Sequence, residues 1–570
     1  MDTLSIESFM ILAVLVPVIL STGLLILPQK GRYTLVSVLI LLLAALAVNI
    51  YRAETLGTVS VFSREEAIIA LSFTGHEYSQ FMVLGFTVMG VSALLYGLQK
   101  AGPGEQMLSF WALAGAIGVV LSHDFITMFL FWELLTITTA GLIFLNNTRQ
   151  SYIMGYRFLL FHLIGGLLFF VGIIQHYAAT ASTALEVPEA GLAFFVLGFA
   201  FKAAFLPFHI WVAWGYPSAS PFSSVLLAGL TTKIGVYAFA RVLGPYEGLE
   251  YALAFMGASM AIVGICCALM QKNMRRLLSY HIVSQVGYMI AGVGLGASLA
   301  VDGGLLHLAN NLLYKSLLFM TAGVVLVATG SENLHDLSHQ EEEEEGEGKT
   351  ARPVWKVLPL TTAGAVIGAL AIAGFPLFNG YVSKHLLKYA VEGMGPVEWM
   401  LLLASVGTTM SFCKFVYFGF LKARAGEFNQ PSPTMQAAIA IVSALCILLG
   451  IRPELIGGVL PYGSSVEFLE IYTLSGVGTA LLLVGAGVVV FALLAGPLHR
   501  GLPVPAWVSV EYLIFMPVGK IGGRVINYLG EMLENIGQNI KNINVDQLLI
   551  GTVLIFVLII IFYFGIFGGA

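Results

Sequence analysis

Long apolar runs separated by short polar stretches fill this chain of 570 residues. A helix needs about 20 consecutive apolar residues to cross a membrane, so each run of about that length predicts a spanning helix. We count sixteen, and the pattern as a whole is typical of an all-α polytopic membrane protein. The predicted spans are residues 9–27, 33–50, 81–98, 107–121, 125–144, 158–174, 191–208, 222–242, 251–270, 277–295, 305–328, 358–389 (broken), 400–419, 436–455, 474–496 and 548–566.

The composition agrees with this interpretation and excludes other classes of protein. Apolar residues make up 58% of the chain and charged residues 10%, and the mean hydropathy is +0.89, whereas a soluble domain carries about 25% charged residues. A net charge of −5 argues against a nucleic-acid partner. The four cysteines lie in apolar runs without the spacing of metal ligands, so we expect them to pack in the core. We expect neither a metal ion nor a cofactor.

The loops between the predicted spans alternate in charge. Loops after odd-numbered spans are basic, with Lys30, Arg32, Lys100, Arg149, Arg157, Lys272, Arg275, Arg276, Lys349, Arg352, Lys356, Lys422, Arg424, His499 and Arg500. Loops after even-numbered spans are acidic, with Glu65, Glu66, Glu77, Asp124, Glu186, Glu189, Glu247, Glu250, Asp302, Glu392, Glu398, Glu467 and Glu470. Because cytoplasmic loops are enriched in lysine and arginine, we predict a protein of the cytoplasmic (inner) cell membrane with both termini outside.

Two stretches differ from this alternation of spans and short loops. The predicted cytoplasmic loop 331–353 contains the run Glu341–Glu345, a low-complexity and solvated insertion. Near the C-terminus, apolar residues recur every three or four positions from Val518 to Ile543, with charged residues between them. This pattern predicts an amphipathic helix on the cytoplasmic face, in contact with lipid headgroups or with neighbouring subunits.

Two predicted spans are interrupted by proline and carry lysine. The first reaches Pro207 beside Lys202, and the second contains Gly374–Lys384 with Pro376. Proline breaks a helix and releases backbone groups that lipid cannot satisfy. Each interrupted span is the fourth in a block of five spans. Because five is odd, the second block must enter the membrane from the side opposite to the first. This layout is typical of inverted-topology repeats, in which paired broken helices indicate the ion site.

The chain therefore divides into five predicted segments. They are N-terminal helices (1–106), a first repeat (107–242), a second repeat (251–420), C-terminal helices (436–496), and the amphipathic helix with a last span (505–570).

Charged residues at mid-depth of the predicted spans are the candidates for function. They are Glu133, Lys202, Lys233, Lys315 and Lys384. At about 2.5 kcal/mol or more each, their insertion costs on the order of 10 kcal/mol. A snorkelling lysine at a helix end could explain Lys202, and packed ion pairs could explain one or two more, but neither explains all of them.

A relay of protons would use these residue types. Burial disfavours the charged form of lysine, so a buried lysine can exchange a proton near neutral pH. We predict a lateral relay in which Glu133 pairs with Lys202 and the other three lysines follow. Further candidates for relay or gate residues are His209, His281, His307, Asn311 and Lys388. His209 has an alternative interpretation as a packing histidine.

Six motifs resemble the proton-translocating antiporter-like subunits. They are FWELL around Glu133, KAAFLPFHIW from Lys202, KIGVY from Lys233, RRLLSYHIVSQVGY (275–288), HLANNLLYKSLLF (307–319) and GFPLFNGYVSK (374–384). That family includes antiporter-like subunits of respiratory complex I, large Mrp cation/proton antiporter subunits and the matching subunits of membrane-bound hydrogenases. The resemblance implies a core of about fourteen helices with two inverted five-helix repeats, and a C-terminal lateral helix that braces neighbouring subunits. It also implies relay roles for the five charged residues.

The sequence departs from the family pattern at three places. The family often has an acidic residue where Asn273 stands and a histidine where Asn311 stands. The stretch Ala213–Tyr216 replaces a proline-aspartate-x-histidine motif.

These observations predict an ion-translocating subunit of a larger membrane complex, moving H⁺ or exchanging H⁺ for Na⁺. No catalytic site is evident in the sequence, so any NADH dehydrogenase-like or hydrogenase-like chemistry belongs to partner subunits. Otherwise the complex is a secondary antiporter with small Mrp-type partners. An alternative is a membrane subunit that energises inorganic-carbon uptake with a soluble zinc-protein partner. A structural scaffold with a vestigial channel is the third alternative, and the intact charge set argues against it.

Overall fold

The computed structural model describes residues 6–52, 58–61, 71–75, 77–244, 247–339, 352–457, 460–464 and 466–500. The predicted amphipathic helix, the last predicted span and the run Glu341–Glu345 lie outside the described residues. The described helices belong to one compact unit, Met1–Ser60 with Leu71–Leu502.

The described residues are almost entirely helical. The helices are α1 (Ile6–Ser21), α2 (Gln29–Arg52), α3 (Glu77–Gly97), α4 (Pro103–Leu121), α5 (Phe125–Phe144), α6 (Arg149–Thr180), α7 (Leu192–Lys202), α8 (Ile210–Ser218), α9 (Pro221–Ala238), α10 (Glu250–Met270), α11 (Met274–Gly294), α12 (Ser298–Thr329), α13 (Leu334–His339), α14 (Val354–Val357), α15 (Pro359–Ala373), α16 (Asn379–Ala390), α17 (Pro396–Val416), α18 (Pro433–Ile451), α19 (Glu454–Gly457), α20 (Phe468–Ile471) and α21 (Leu474–Arg500). A 3₁₀ turn (Thr22–Leu25) follows α1, and π-helical turns follow α9 (Phe239–Leu243) and α17 (Tyr417–Leu421).

Four short strands complete the described elements. They are β1 (Val59–Val61), β2 (Leu71–Phe73), β3 (Arg352–Pro353) and β4 (Arg424–Ala425). They form two small sheets within the described residues, β1 with β2 and β3 with β4. The second sheet is antiparallel and joins the connections that precede α14 and follow α17.

The helices confirm an all-α polytopic membrane fold. Among the described residues, twelve helices have the length and hydropathy needed to cross a membrane. Three other predicted spans are also helical but differ from that standard. The helix α11 is long enough but carries many polar residues, whereas α7 and α15 are short apolar helices that belong to interrupted spans.

The first predicted break is confirmed, but the span before it is shorter than predicted. The helix α7 ends at Lys202 rather than at residue 208, and α8 begins only at Ile210. In the connection, Ala204 adopts a left-handed conformation with φ 58°. Carbonyls freed at the end of α7 find partners in the protein, since the indole Nε1 of Trp211 donates to the Phe201 carbonyl at 3.0 Å. The protein itself thus supplies a partner to backbone that lipid could not satisfy.

The second predicted break lies between α15 and α16 and uses similar geometry. Gly374 has φ 80° and Leu377 has φ 73°, both left-handed. The Leu377 amide donates to the hydroxyl of Tyr472 at 3.0 Å. Both interrupted spans therefore contain a non-glycine residue in the left-handed region, which is uncommon and is usually retained at functional positions.

The long helix α12 lies at the centre of the bundle. It packs against α9, α11, α15, α16 and α18 and is buried along most of its length. It begins at Ser298 rather than near residue 305, which corrects two predictions. Asp302, predicted to lie in a loop, is in the second turn of α12, and His307, predicted at the helix start, is in the third. The polar residues of α12 therefore face neighbouring helices on several sides.

Candidate ion-translocation site

The five predicted relay charges lie on five different helices inside the bundle. Glu133 is on α5, Lys202 ends α7, Lys233 is on α9, Lys315 is on α12 and Lys384 is on α16. The first four are buried and Lys384 is partly buried. Burial of so many charges among apolar helices is expensive, and their surroundings show how each is accommodated.

Lys202 is held by α5 and not by the Glu133 carboxylate. Its Nζ donates to the Thr136 hydroxyl at 2.6 Å and to the Trp132 carbonyl at 3.1 Å. It also lies 4.6 Å from the centre of the Trp132 ring, a cation–π distance. Neither oxygen of Glu133 has a hydrogen-bond partner among the described residues. The predicted Glu133–Lys202 contact is therefore not formed in this structure, although the two charges interact electrostatically.

Glu133 lies against α6 at a glycine. A Cβ atom added to Gly166 would collide with Glu133 Oε1, so the missing side chain makes the space that the carboxylate occupies. His162, one turn earlier on α6, is buried and interacts electrostatically with Lys202. The helix α6 thus forms the far wall of the Glu133–Lys202 site.

The helix α9, which carries Lys233, packs against the first break directly after Lys202. A Cβ on Gly235 of α9 would meet the backbone nitrogen of Ala203 at 2.5 Å, so glycine allows α9 to touch the residue that follows Lys202. Two residues before this contact, Lys233 donates from Nζ to the Ala228 carbonyl of its own helix at 2.7 Å.

Lys315 faces Lys233 across the contact of α9 with α12, and the two charges interact. Lys315 Nζ has no hydrogen-bond partner in the part of the chain that the structure describes. It lies 5.6 Å from the centre of the Phe412 ring. A fully buried lysine without an acceptor is costly in its charged form.

A hydrogen-bonded cluster joins α11, α12 and α16 beyond Lys315. His307 contacts Ser383 Oγ through Nδ1 at 2.9 Å and Gln285 Oε1 through Nε2 at 3.1 Å. The Tyr314 hydroxyl also donates to Gln285 at 3.3 Å and accepts from Asn311 at 3.2 Å. His307 interacts electrostatically with both Lys233 and Lys384. This cluster contains the predicted residues His307 and Asn311 and ends beside Lys384.

Lys384 opens into a cleft between α16, α17 and α21. Its Nζ donates to the Ala373 carbonyl at 3.4 Å, which the second break releases, and lies 5.2 Å from the centre of the Tyr288 ring. The cleft encloses about 640 Å³ of empty space including its open mouth, and Lys388 and Glu398 also line it. Lys388 donates to Thr479 of α21 at 3.3 Å. The last lysine of the row therefore lines an open cleft at the side of the bundle.

The other two histidine predictions have different outcomes. His281 of α11 contacts Ser411 of α17 through Nε2 at 2.7 Å and interacts electrostatically with Lys315 and Lys384. His209 is buried at the start of α8, with its ring 6.5 Å from that of Tyr280. His281 therefore borders the row of lysines, whereas His209 lies at the end of the first break.

Many buried polar atoms around the row lack a hydrogen-bond partner among the described residues. They are both oxygens of Glu133, Lys315 Nζ, His281 Nδ1, Gln285 Nε2, Asn310 Oδ1, Asn311 Oδ1 and Asn379 Oδ1. An unsatisfied buried polar group costs about 1–3 kcal/mol, so such groups usually bind water or an ion. The row of charges is therefore bordered by groups able to bind water or an ion.

A second polar cluster lies at the end of the bundle that carries Lys272, Arg275 and Arg276, here called the basic face. Arg275 forms an ion pair with Glu332 at 2.6 Å and donates to Ser224 at 2.9 Å. Asn273 donates to Glu332 and caps α11 by accepting from the Arg276 amide. Asn273 is therefore a capping residue at this face.

Sequence reasoning missed several residues of the site. The missed residues are Thr136, Gln285 and Ser383. The sequence around each is typical of a helix, and the one signal that could have identified them is a polar side chain inside an apolar run. Asp124 caps α5 by accepting from the Thr127 amide at 2.8 Å, and burial raises the pKa of its carboxyl. Within the described residues, no three histidine, cysteine or acidic side chains come together as metal ligands.

Comparison with known proteins agrees with this architecture. The family described as NADH:quinone oxidoreductase/Mrp antiporter, TM, matches residues 122–411, about half of the chain, and the chain belongs to this family. A subunit of the Na⁺/H⁺ antiporter of Alkalihalophilus pseudofirmus is 25% identical over 483 residues, covering 79% of this chain and 94% of the relative.

Two solved structures have the same fold. A chain of the Mrp complex from Dietzia sp. DQ12-45-1b aligns with a TM-score of 0.71 at 19% identity, covering 86% of this chain and 100% of that one. A chain of respiratory complex I from Thermus thermophilus aligns with a TM-score of 0.71 at 20% identity, covering 83% of this chain and 99% of that one.

Proposed function

We propose that this member of the NADH:quinone oxidoreductase/Mrp antiporter family moves protons across the membrane, or exchanges them for sodium ions, as one subunit of a larger complex. The observation that supports this most strongly is the row of buried charges from Glu133 to Lys384. It crosses the bundle through both interrupted spans and is accompanied by unsatisfied polar atoms.

The chemistry of the row suits proton transfer more than static packing. It contains one carboxylate and four lysines, so the buried ammonium groups outnumber their counter-ions. Two unit charges about 7 Å apart interact by roughly 2 kcal/mol at an effective dielectric constant of about 20. At such a separation, a proton that arrives at one group changes the occupancy of the next by on the order of 30-fold.

The proposed relay has two parts joined at the first break. Glu133 and Lys202 form the first, on α5 and α7. Lys233, Lys315 and Lys384 form the second, and the His307 cluster interacts with the first and the last of these three. The contact of Gly235 with Ala203 joins the parts, and water completes the gaps between the charged groups. The two interrupted spans, which we take to be the fourth members of two inverted five-helix repeats, carry Lys202 and Lys384.

The membrane and the partners follow from the same proposal. The alternation of loop charges supports a cytoplasmic membrane protein with the basic face inside and both termini outside. The names of its relatives support small Mrp-type subunits or a redox module as partners. Any electron donor would bind those partners.

The test begins with the tagged full chain, purified in mild detergent with everything that binds it. The resulting complex is reconstituted into liposomes that contain a pH-sensitive dye, and an imposed Na⁺ gradient or the substrate of a copurified redox module drives it. We expect proton movement that Glu133→Gln abolishes and that the surface variant Lys100→Met leaves unchanged. Equal rates for Glu133→Gln and wild type would refute the proposal.

A further inference from the structure

A buried lysine outside the predicted row lies near the basic face. Lys414 of α17 is only 1% exposed. Its Nζ donates to the carbonyls of Leu269 and Gln271, each at 2.7 Å, at the C-terminal end of α10. It also interacts electrostatically with Lys272 of the basic face. Lys414 is thus positioned between the bundle interior and that surface.

Lys414 shares the helix α17 with a residue that contacts His281. Ser411 precedes it by three residues, and residues at this spacing are neighbours on the surface of a helix. The Ser411 hydroxyl contacts Nε2 of His281 at 2.7 Å. His281 is fully buried, and its other ring nitrogen, Nδ1, lacks a hydrogen-bond partner among the described residues.

The end of this connection is Lys315. Its Nζ is also without a partner in the described part of the chain, and its charge interacts with His281. The Phe412 ring lies beside both groups, 4.7 Å from the His281 ring centre and 5.6 Å from Lys315 Nζ. The unpartnered nitrogens of His281 and Lys315 thus lie in one region of the interior, next to α17.

We propose that Lys414, Ser411 and His281 form a proton branch from the basic face to Lys315. This inference rests on the proposed function and adds an uptake path to it. It assigns Lys414 as a relay residue, whereas the simpler alternative is a lysine that only caps α10. A cation at a helix C-terminus is favourable by about 0.3–1 kcal/mol, so a capping role would need the positive charge but not the exchange of a proton.

The transfer along this branch conserves protons at every group. The neutral amine of Lys414 binds a proton from the basic face and becomes an ammonium. The ammonium gives one proton to the Ser411 oxygen as the Ser411 hydroxyl proton passes to His281 Nε2. The doubly protonated ring then releases its Nδ1 proton, directly or through one water, to the neutral amine of Lys315. A later flip of the tautomer restores the ring.

Arginine at position 414 separates the two roles. Arginine keeps the positive charge and the hydrogen bonds to the α10 carbonyls but does not release its proton in a protein. In the reconstituted complex we expect Lys414→Arg to assemble normally and to lower the rate of proton movement at least 10-fold. Ser411→Ala removes the bridging hydroxyl and should lower the rate several-fold. Thr408→Ala is the matched control, because among the described residues Thr408 bonds only to its own helix at Ala404.

The outcomes distinguish this branch from the relay itself. If Lys414→Arg and Ser411→Ala both move protons at the wild-type rate while Lys202→Met does not, the branch is wrong and the relay stands. If Lys202→Met also transports normally, the proposed function fails as well. Should Lys414→Arg fail to assemble, Ser411→Ala decides the matter, since a wild-type rate for it overturns the branch.

Discussion

The Thr136 hydroxyl controls where the Lys202 ammonium rests, and its removal should slow proton transfer. The hydroxyl accepts from Lys202 Nζ at 2.6 Å, within a cluster that also contains the Trp132 carbonyl. A hydrogen bond to a charged group contributes about 1.5–3 kcal/mol. Thr136→Val keeps the shape of the side chain and removes this bond. The balance of Lys202 between α5 and the Glu133 carboxylate should therefore shift by roughly 10- to 100-fold towards Glu133.

A tighter Glu133–Lys202 pair holds its proton more firmly, so the rate of proton movement by the reconstituted complex should fall. Thr136→Ser restores the hydroxyl and should restore most of the rate. Thr139→Val is the matched control, since Thr139 is buried on the same helix and bonds only to carbonyls of α5. A wild-type rate for Thr136→Val would refute this reasoning. So would an equal loss in Thr139→Val, because that loss would come from general disturbance of α5.

Two further predictions concern Gly166, which lies beside Glu133, and Asp302, which accepts hydrogen bonds from the loop 460–464. Gly166→Ala places a methyl group where the Glu133 carboxylate lies, so it should reduce the rate of proton movement. Gly478→Ala is the control and should leave the rate unchanged, because its added Cβ meets nothing within 4 Å. Asp302→Ala removes the acceptor of two backbone amides in the loop 460–464. It should lower the free energy of unfolding by about 3 kcal/mol, measured as a lower midpoint in thermal unfolding, and an unchanged midpoint would count against this anchoring role.

The sequence was sufficient to predict the class of fold and the main charges. Apolar runs predict helices because lipid leaves the backbone few alternatives, and lysine inside such a run is unusual wherever it stands. Pro207 and Pro376 predicted both breaks for the same physical reason. These inferences depend on local chemistry, which the sequence contains directly.

Side-chain partners could not be predicted in the same way. The contact of Lys202 with Thr136 depends on how α7 meets α5, and opposite charge alone suggested Glu133 instead. Lys414, within the predicted span 400–419, was not among the residues predicted to act in the relay. Its burial depends on the position of the α10 C-terminus. Such contacts join residues far apart in the chain, and only the packed bundle defines them.

The predicted helix ends were wrong where polar residues continue a helix. The start of α12 contains Asp302 and Gly303, which read as a loop in the sequence. Tertiary contacts with the loop 460–464 satisfy the Asp302 carboxylate there. The polar residues at the start of α12 therefore fit a helix that is surrounded by protein. They would not fit a helix that is surrounded by lipid, which is why the sequence suggested a loop.

The central claim is that the buried charges form one continuous route for ions. The most direct measurement is the initial rate of proton movement by the reconstituted complex with Lys315→Met, the lysine in the central helix α12. We predict a rate below about a tenth of wild type, with all partner subunits still bound and with Lys100→Met at the wild-type rate. A Lys315→Met complex that assembles fully and moves protons as fast as wild type would contradict the account.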